Sequence, residues 1–320
     1  MKAVYVDQVG VPAVVHHGDR PVPRPGPRQV LVEVHAAGVN PRDHQLAEGR
    51  YAFRRLSGRL PTILGSDVSG VVVERGRRAT RFEVGDEVLA MQTTLGGMGG
   101  YAEYVAVHES AVTHKPAALS HVRAAALPVA GLTAWQALAG RQSLEGARVT
   151  VVGATGGVGH LAVQLARRRG AVVTAVCGPG KADVAESLGA SRVVDYTSQR
   201  LADAIDAPQD LVLDTVGTGD LRSYRSVLAP RGHHVTTVPS TRAYVDWSTS
   251  TVAPWTTGGT RSRLVLVRPS GPQLAHLAGL AATGGLDVRI HRQLPLAEVD
   301  HALELSRRGH VTGKIVLTIT

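Results

Sequence analysis

Residues 148–176 read RVTVVGATGGVGHLAVQLARRRGAVVTAV, and this stretch decides the fold. A β-branched run over 148–152 meets a turn with glycines at Gly153, Gly156, Gly157 and Gly159. An amphipathic run over 160–169 follows, and then a second apolar run over 171–176. Strand, glycine turn, helix and strand make a βαβ unit. Glycines let backbone come close to a pyrophosphate, and a helix N-terminus offers unbonded N–H groups at the positive end of its dipole. In this context the turn Gly153, Ala154, Thr155, Gly156, Gly157, Val158, Gly159 predicts a dinucleotide site.

Downstream, the second strand ends in Cys177, Gly178, Pro179, Gly180 and Lys181. A binder of NAD ordinarily places an acid there, to hold the ribose hydroxyls. A small residue followed by a lysine leaves room for a 2′-phosphate and supplies its counter-charge, so NADPH is the expected cofactor, with Tyr196 near the adenine. The alternation continues with a helix over 181–188, strands over 192–194 and 211–214, a helix over 221–228 and a strand over 232–238. That rhythm predicts an α/β fold with a doubly wound parallel sheet. Residues 239–262 are rich in Ser, Thr and Gly and carry Trp247 and Trp255. They read as a long irregular loop: a pocket wall, a subunit contact or simply a disordered loop. A strand over 263–267, a helix over 273–282 and a closing strand over 315–320 complete the reading.

Upstream, the character is β-rich. Short β-branched runs over 1–6, 30–36, 70–74 and 87–90 are separated by turn clusters such as 21–27 and 96–100, and helices follow over 121–127 and 130–138. Across all 320 residues, 43% are apolar and 19% charged, which excludes global disorder. Aromatics are only 4%, so the core is built from Val, Ala and Leu, as in a covered parallel sheet. The lone Cys177 excludes an intramolecular disulfide framework and fits a reducing compartment, so a cytoplasmic location is expected. The net charge is +9, yet the arginines are scattered and no basic run is interleaved with aromatics. Solvated faces are expected rather than a nucleic-acid surface. Charge-free stretches at 124–140 and 149–166 are interrupted by glycine and proline, so no membrane span is expected.

These segments together resemble the zinc-free medium-chain dehydrogenase/reductases of the quinone oxidoreductase type. The resemblance rests on Ala36-Ala37-Gly38-Val39-Asn40-Pro41, Leu64-Gly65-Ser66-Asp67-Val68-Ser69-Gly70, Gly85-Asp86-Glu87-Val88, Gly100-Tyr101-Ala102-Glu103-Tyr104, Leu127-Pro128-Val129-Ala130-Gly131-Leu132-Thr133-Ala134, the glycine turn, Asp214-Thr215-Val216-Gly217 and Gly313-Lys314-Ile315-Val316. It covers essentially the whole chain. It implies a Rossmann domain, 123–268, inserted in a GroES-like β-barrel catalytic domain, 1–122 with 269–320, and a homodimer. It also argues against zinc. Alcohol dehydrogenase relatives carry a catalytic Cys where this chain has Asn40-Pro41 and a ligand His where it has Ser66, and catalytic zinc needs three protein ligands.

Without a metal, the acceptor must delocalise the charge that hydride brings, as a quinone or a conjugated enone does. The resemblance puts Tyr51 against the substrate, as proton donor or orienter, with water the alternative source. It puts Asn40 at the junction of substrate and nicotinamide and Thr133 on the nicotinamide side, and Asp43 is expected to hold either Asn40 or a neighbouring backbone group. Val216, Gly217 and Val238 match strand ends beneath that half of the cofactor. The expected activity is NADPH-dependent reduction of a quinone or activated C=C. Rival readings are an enoyl-thioester reductase, a tailoring enzyme performing reduction or cyclisation, and, from another class, a non-catalytic NADPH sensor or RNA-binding protein.

Overall fold

The computed structural model describes residues 1–51, 60–92, 99–139 and 143–319. Of the turn cluster expected at 96–100, residues 96–98 therefore lie outside the described residues. Two compact units emerge: Met1–Leu132 with Arg268–Thr320, and Thr133–Val267.

In the first unit the chain runs through β1 (Lys2–Val6), β2 (His16–Asp19), β3 (Gln29–Gly38), α1 (Pro41–Ala47), β4 (Thr62–Ile63), β5 (Asp67–Arg75), β6 (Glu87–Met91), β7 (Tyr104–His108) and β8 (Val112–His114). Helices α2 (His121–Ala125) and α3 (Pro128–Leu138) follow. The sequence reading ends this unit at 122, whereas the structure carries it ten residues further. The reason is packing: the apolar face of α2 lies on β3 and β5, so it belongs to the barrel side.

The second unit holds β9 (Arg148–Val152), α4 (Gly159–Arg168), β10 (Val172–Cys177), α5 (Ala182–Ser187), β11 (Arg192–Asp195), α6 (Leu201–Ala204), β12 (Gln209–Asp214), α7 (Leu221–Tyr224), β13 (Leu228–Thr236), α8 (Thr241–Val252) and β14 (Arg261–Leu264). Every pairing is parallel, in the order β11-β10-β9-β12-β13-β14. This is the doubly wound arrangement, with its switch point between β9 and β12, and ligands bind at the strand C-termini there. β9 and β10 are buried along nearly their whole length, which is why they read as continuous β-branched runs rather than alternating ones.

The sequence reading leaves β2, α1, β4, β7 and β8 unassigned, and three further stretches depart from it. The expected loop at 239–262 instead contains α8 and a 3-10 turn, Pro254–Thr257. Ser240 caps α8 by accepting from the Ala243 N–H at 3.1 Å. Within the helix, Thr249 and Thr251 donate to the carbonyls of Val245 and Trp247 at 2.7 and 2.6 Å. Ser and Thr hydroxyls compete for backbone hydrogen bonds, so composition alone reads this segment as a loop; here they bond back to the preceding turn inside the helix. The helix expected over 221–228 stops at Tyr224, because Leu228 already pairs with Gln209 in the sheet. Finally, the sequence reading assigns nothing between 283 and 314.

In that last stretch, after α9 (Gly271–Ala282), the chain forms β15 (Ile290–Pro295) and α10 (Val299–Arg308), then β16 (Lys314–Thr318). These return to the first unit. Its larger sheet has the order β15-β16-β3-β5-β6-β8, with β7 also on β3, and β2-β1-β4 form a smaller one. Gly38, at the end of β3, faces Asp67 on β5 and Val316 on β16. A Cβ on Gly38 would lie 2.5 Å from the Ala125 carbonyl oxygen and 2.9 Å from Asp67, so glycine is what allows α2 and Asp67 to close in. One apolar cluster joins Val4, Val6, Leu64 and Tyr101 to Leu294, Leu303 and Leu317. Chain segments more than 300 residues apart thus share a core. Among the described residues no helix is long and apolar enough to cross a membrane.

Candidate functional site

In the first unit the sequence candidates converge on the start of α1. Asn40 precedes Pro41 with extended backbone, and its N–H donates to Asp43 Oδ2 at 2.8 Å. This is one of the two Asp43 contacts expected from the sequence. The Tyr101 hydroxyl donates to the same oxygen at 2.7 Å. Burial pushes the Asp43 carboxyl up, against the opposing charge of Arg42, and it pushes the Tyr101 phenol well up.

The Asn40 side chain is not used in helix capping. Its Nδ2 donates to Asp67 Oδ2 at 3.0 Å. Its Oδ1 accepts from Lys314 Nζ at 2.7 Å, and the same ammonium donates to the Val39 carbonyl at 2.9 Å and to Asp67 Oδ2 at 3.3 Å. Asp67 Oδ1 meanwhile accepts from the Val129 N–H at 2.7 Å, at the start of α3. Lys314 and Asp67 are 3% and 0% exposed in their side chains, so this is a buried ion pair. It fixes which way the Asn40 amide faces: oxygen to the cation, nitrogen to the carboxylate. Sequence reasoning quotes Asp67 and Lys314 only as family segments. Nothing local links residues 247 positions apart, and only the β5-β3-β16 pairing brings them together.

The donors here do not suit zinc. At the positions where alcohol dehydrogenase relatives carry Cys and His stand a buried amide, Asn40, and a buried hydroxyl, Ser66. A lysine ammonium already sits on Asn40 Oδ1, and a second cation beside it would be repelled. Among the described residues no group of three or more His, Cys, Asp or Glu side chains could hold a metal ion. Tyr51 follows α1, with its ring packed on the apolar cluster of this unit.

In the second unit the glycine turn joins β9 to α4. The N–H groups of Gly153 and Ala154 both donate to the Val176 carbonyl at 3.0 Å, and Gly156 N–H returns to Gly153 O at 2.9 Å. Gly153 has φ +76°, and a Cβ there would meet Val216 Cγ2 at 2.5 Å. A Cβ on Gly159 would lie 2.0 Å from Gly153 O. Thr155 is buried, while Gly157 and Val158 are half-exposed where α4 begins. The first N–H groups of a helix have no acceptor within it. Backbone donors in a cradle that side chains would fill fit a pyrophosphate.

At the end of β10, Gly178 faces Tyr196, whose hydroxyl would be 3.2 Å from an added Cβ. Lys181 starts α5, and partial burial draws its ammonium down. Burial pushes the neighbouring Cys177 thiol up, so it is a poor nucleophile. Past β12, Asp214 organises the next turn. Its Oδ1 accepts from the N–H groups of Val216 and Gly217 at 2.9 and 2.7 Å, and its Oδ2 from Gly219 N–H and the Tyr224 hydroxyl at 3.0 and 3.1 Å. Gly217 has φ +80°, and Val238 would be 2.9 Å from a Cβ there. Val216, Gly217 and Val238 thus form one surface, with Asp214 as its organiser. Thr133 is buried in α3. Trp247 and Trp255 are 48% and 78% exposed, on α8 and the 3-10 turn, so both indoles are open to a ligand or a second copy.

Two family models match the chain. The model of the alcohol dehydrogenase GroES-like domain matches residues 26–117, and that of the zinc-binding dehydrogenases matches residues 188–317. The chain is 33% identical to the chloroplastic quinone-oxidoreductase QR1 of Triphysaria versicolor, over 99% of this chain and 98% of that one. It is 32% identical to the mitochondrial NAD(P)H oxidoreductase RTN4IP1 of Mus musculus, over 92% and 82%. The solved quinone oxidoreductase of Coxiella burnetii superposes with a TM-score of 0.93, at 33% identity and over 100% and 99% of the two chains.

Proposed function

The chain belongs to the zinc-free quinone oxidoreductase family of medium-chain dehydrogenase/reductases, enzymes that use NAD(P)H, and from that premise we propose that it reduces a quinone or an activated C=C with NADPH. The observation that carries the cofactor choice is the end of β10, where Gly178, Lys181 and Tyr196 stand and no acid replaces the lysine. The glycine turn, 153–159, would hold the pyrophosphate, and Val216, Gly217, Val238 and Thr133 the nicotinamide half. When bound, the cofactor supplies hydride. The chain supplies orientation and a proton. Asp67 and Lys314 hold the Asn40 amide in one orientation beside the substrate. The Tyr51 hydroxyl hands its proton to the enolate that reduction of an enone leaves on the substrate.

Two variants test these roles. Lys181→Ala is expected to lower the preference for NADPH over NADH about tenfold, the worth of one charge-assisted contact. Steady-state kinetics with both cofactors reads it, and an unchanged ratio removes Lys181 from the site. Tyr51→Phe is expected to cost about tenfold or more in kcat on an enone, whose basic enolate needs a proton donor. A quinone, whose reduced anion is a weaker base, loses less. Equal losses on the two acceptors would contradict the donor role.

The reading as a whole is tested by following NADPH absorbance with a naphthoquinone and, separately, with a trans-2-enoyl thioester. Faster consumption with the naphthoquinone supports it. A clear preference for the thioester moves the enzyme to fatty-acid or polyketide chemistry, and silence in both, with NADPH bound, overturns the reductase reading. The proposal includes a homodimer, supported by the edge position of β14, which a monomeric sedimentation coefficient would refute. It also includes a cytoplasmic location, supported by the single buried cysteine, although the relatives named above are organellar.

A further inference from the structure

Arg42, the second residue of α1, has no part in the chemistry above. It is only 8% exposed, and its Nε and Nη2 are both buried without a hydrogen-bond partner among the described residues. Those two N–H groups lie on one edge of the guanidinium and point the same way. That edge is the fork that takes the two oxygens of a carboxylate. The adjacent carboxylate does not fill it. Asp43 gives Oδ2 to Asn40 and Tyr101, and its Oδ1 is buried and unpartnered as well.

A buried charged donor left empty costs stability. The other buried cations of this unit are fully engaged: Lys314 on three acceptors, and Lys115 on the Leu119 carbonyl at 2.7 Å and Glu87 at 3.2 Å. Arg42 is the exception, and it lies two residues from Asn40. We infer that the Arg42 fork is a subsite for a carboxylate carried by the acceptor, so that the preferred substrate is an acidic enone or quinone. This inference rests on the reductase reading. The neighbouring Asp43 favours a carboxylate over a phosphate, because a dianion beside a second buried acid is repelled more strongly.

The test compares trans-4-oxo-2-pentenoate with its methyl ester, in wild type, Arg42→Met and Arg42→Lys. Wild type is expected to prefer the acid in kcat/KM by about tenfold or more, the worth of a bidentate charged contact. In Arg42→Met that preference falls to near one. Arg42→Lys, which keeps the charge and loses the fork, falls between. The same preference in Arg42→Met as in wild type overturns the inference and leaves the reductase reading standing. Binding of 4-oxopentanoate, which has no double bond to reduce, is measured by calorimetry without cofactor. If it binds in an Arg42-dependent way while no acceptor consumes NADPH, the subsite stands and the reductase reading fails. Thermal melting separates recognition from folding: removing an unpaired buried charge is expected to raise the Tm of Arg42→Met by a few degrees. A lower Tm with equal losses on acid and ester makes Arg42 structural. A weakened NADPH Kd with the acid preference intact gives the fork to the cofactor instead. Both of those results overturn the inference.

Discussion

Lys314→Met is expected to destabilise the first unit by about 3–5 kcal/mol, the cost of stripping one partner from a buried ion pair. Asp67 would keep the amides of Asn40 and Val129 but lose the Lys314 ammonium, in a place with no exposure to water. The Val39 carbonyl and Asn40 Oδ1 would lose their donor too. For a unit of this size the Tm falls by roughly 6–20 °C. The double variant Lys314→Met with Asp67→Asn removes the stranded charge and is expected to recover a substantial part of the loss, a coupling that a double-mutant cycle in urea reads directly. A single-variant cost under about 1 kcal/mol would mean that water reaches Asp67, as at a surface pair.

Gly159→Ala is expected to weaken NADPH binding about a hundredfold, the scale on which a displacement of about 1 Å acts in a preorganised site. The added Cβ meets Gly153 O at 2.0 Å and two backbone carbons under 3 Å, so the turn itself must shift. No flexible side chain can yield instead. Fluorescence titration gives the Kd. Gly279→Ala in α9 is the matched control, because nothing lies within 4 Å of its Cβ and its φ is ordinary. Binding near the wild-type value in Gly159→Ala would mean that the turn relaxes without cost to the pyrophosphate contacts.

The parts legible in the sequence are those whose cause is local. β9 lies at 148–152 as read, because five β-branched or long residues before a glycine turn admit little else. Asp43 reaches Asn40 across three positions, one of the two partners the sequence reading leaves open for it. The missed parts divide by cause. β15 has little apolar alternation, since four of its six residues are exposed, and only its pairing with β16 makes it a strand. In α10, Val299, Ala302 and Leu303 do carry helical spacing, a signal available in the sequence and passed over. α8 is hidden by its hydroxyls. The Asn40–Asp67–Lys314 network is out of reach of any window, because it exists only once two strands flank β3. The empty edge of Arg42 is further still from the sequence, being a statement about what does not meet a side chain.

The pairing of β16 with β3 has a consequence for the order of events during synthesis. All the strands of the second unit, 148–264, leave the ribosome before Lys314 does. Domains generally fold as units as they emerge. The parallel sheet can therefore form while the barrel unit still lacks the strand that flanks β3 and the counter-ion of Asp67. Until residue 314 arrives, the nascent barrel carries an unneutralised carboxylate at its centre and an open edge on β3. β16 is then a latch that emerges after the whole parallel sheet, and a chain stalled before it displays the unpaired edge and apolar surface by which quality-control factors recognise unfinished proteins.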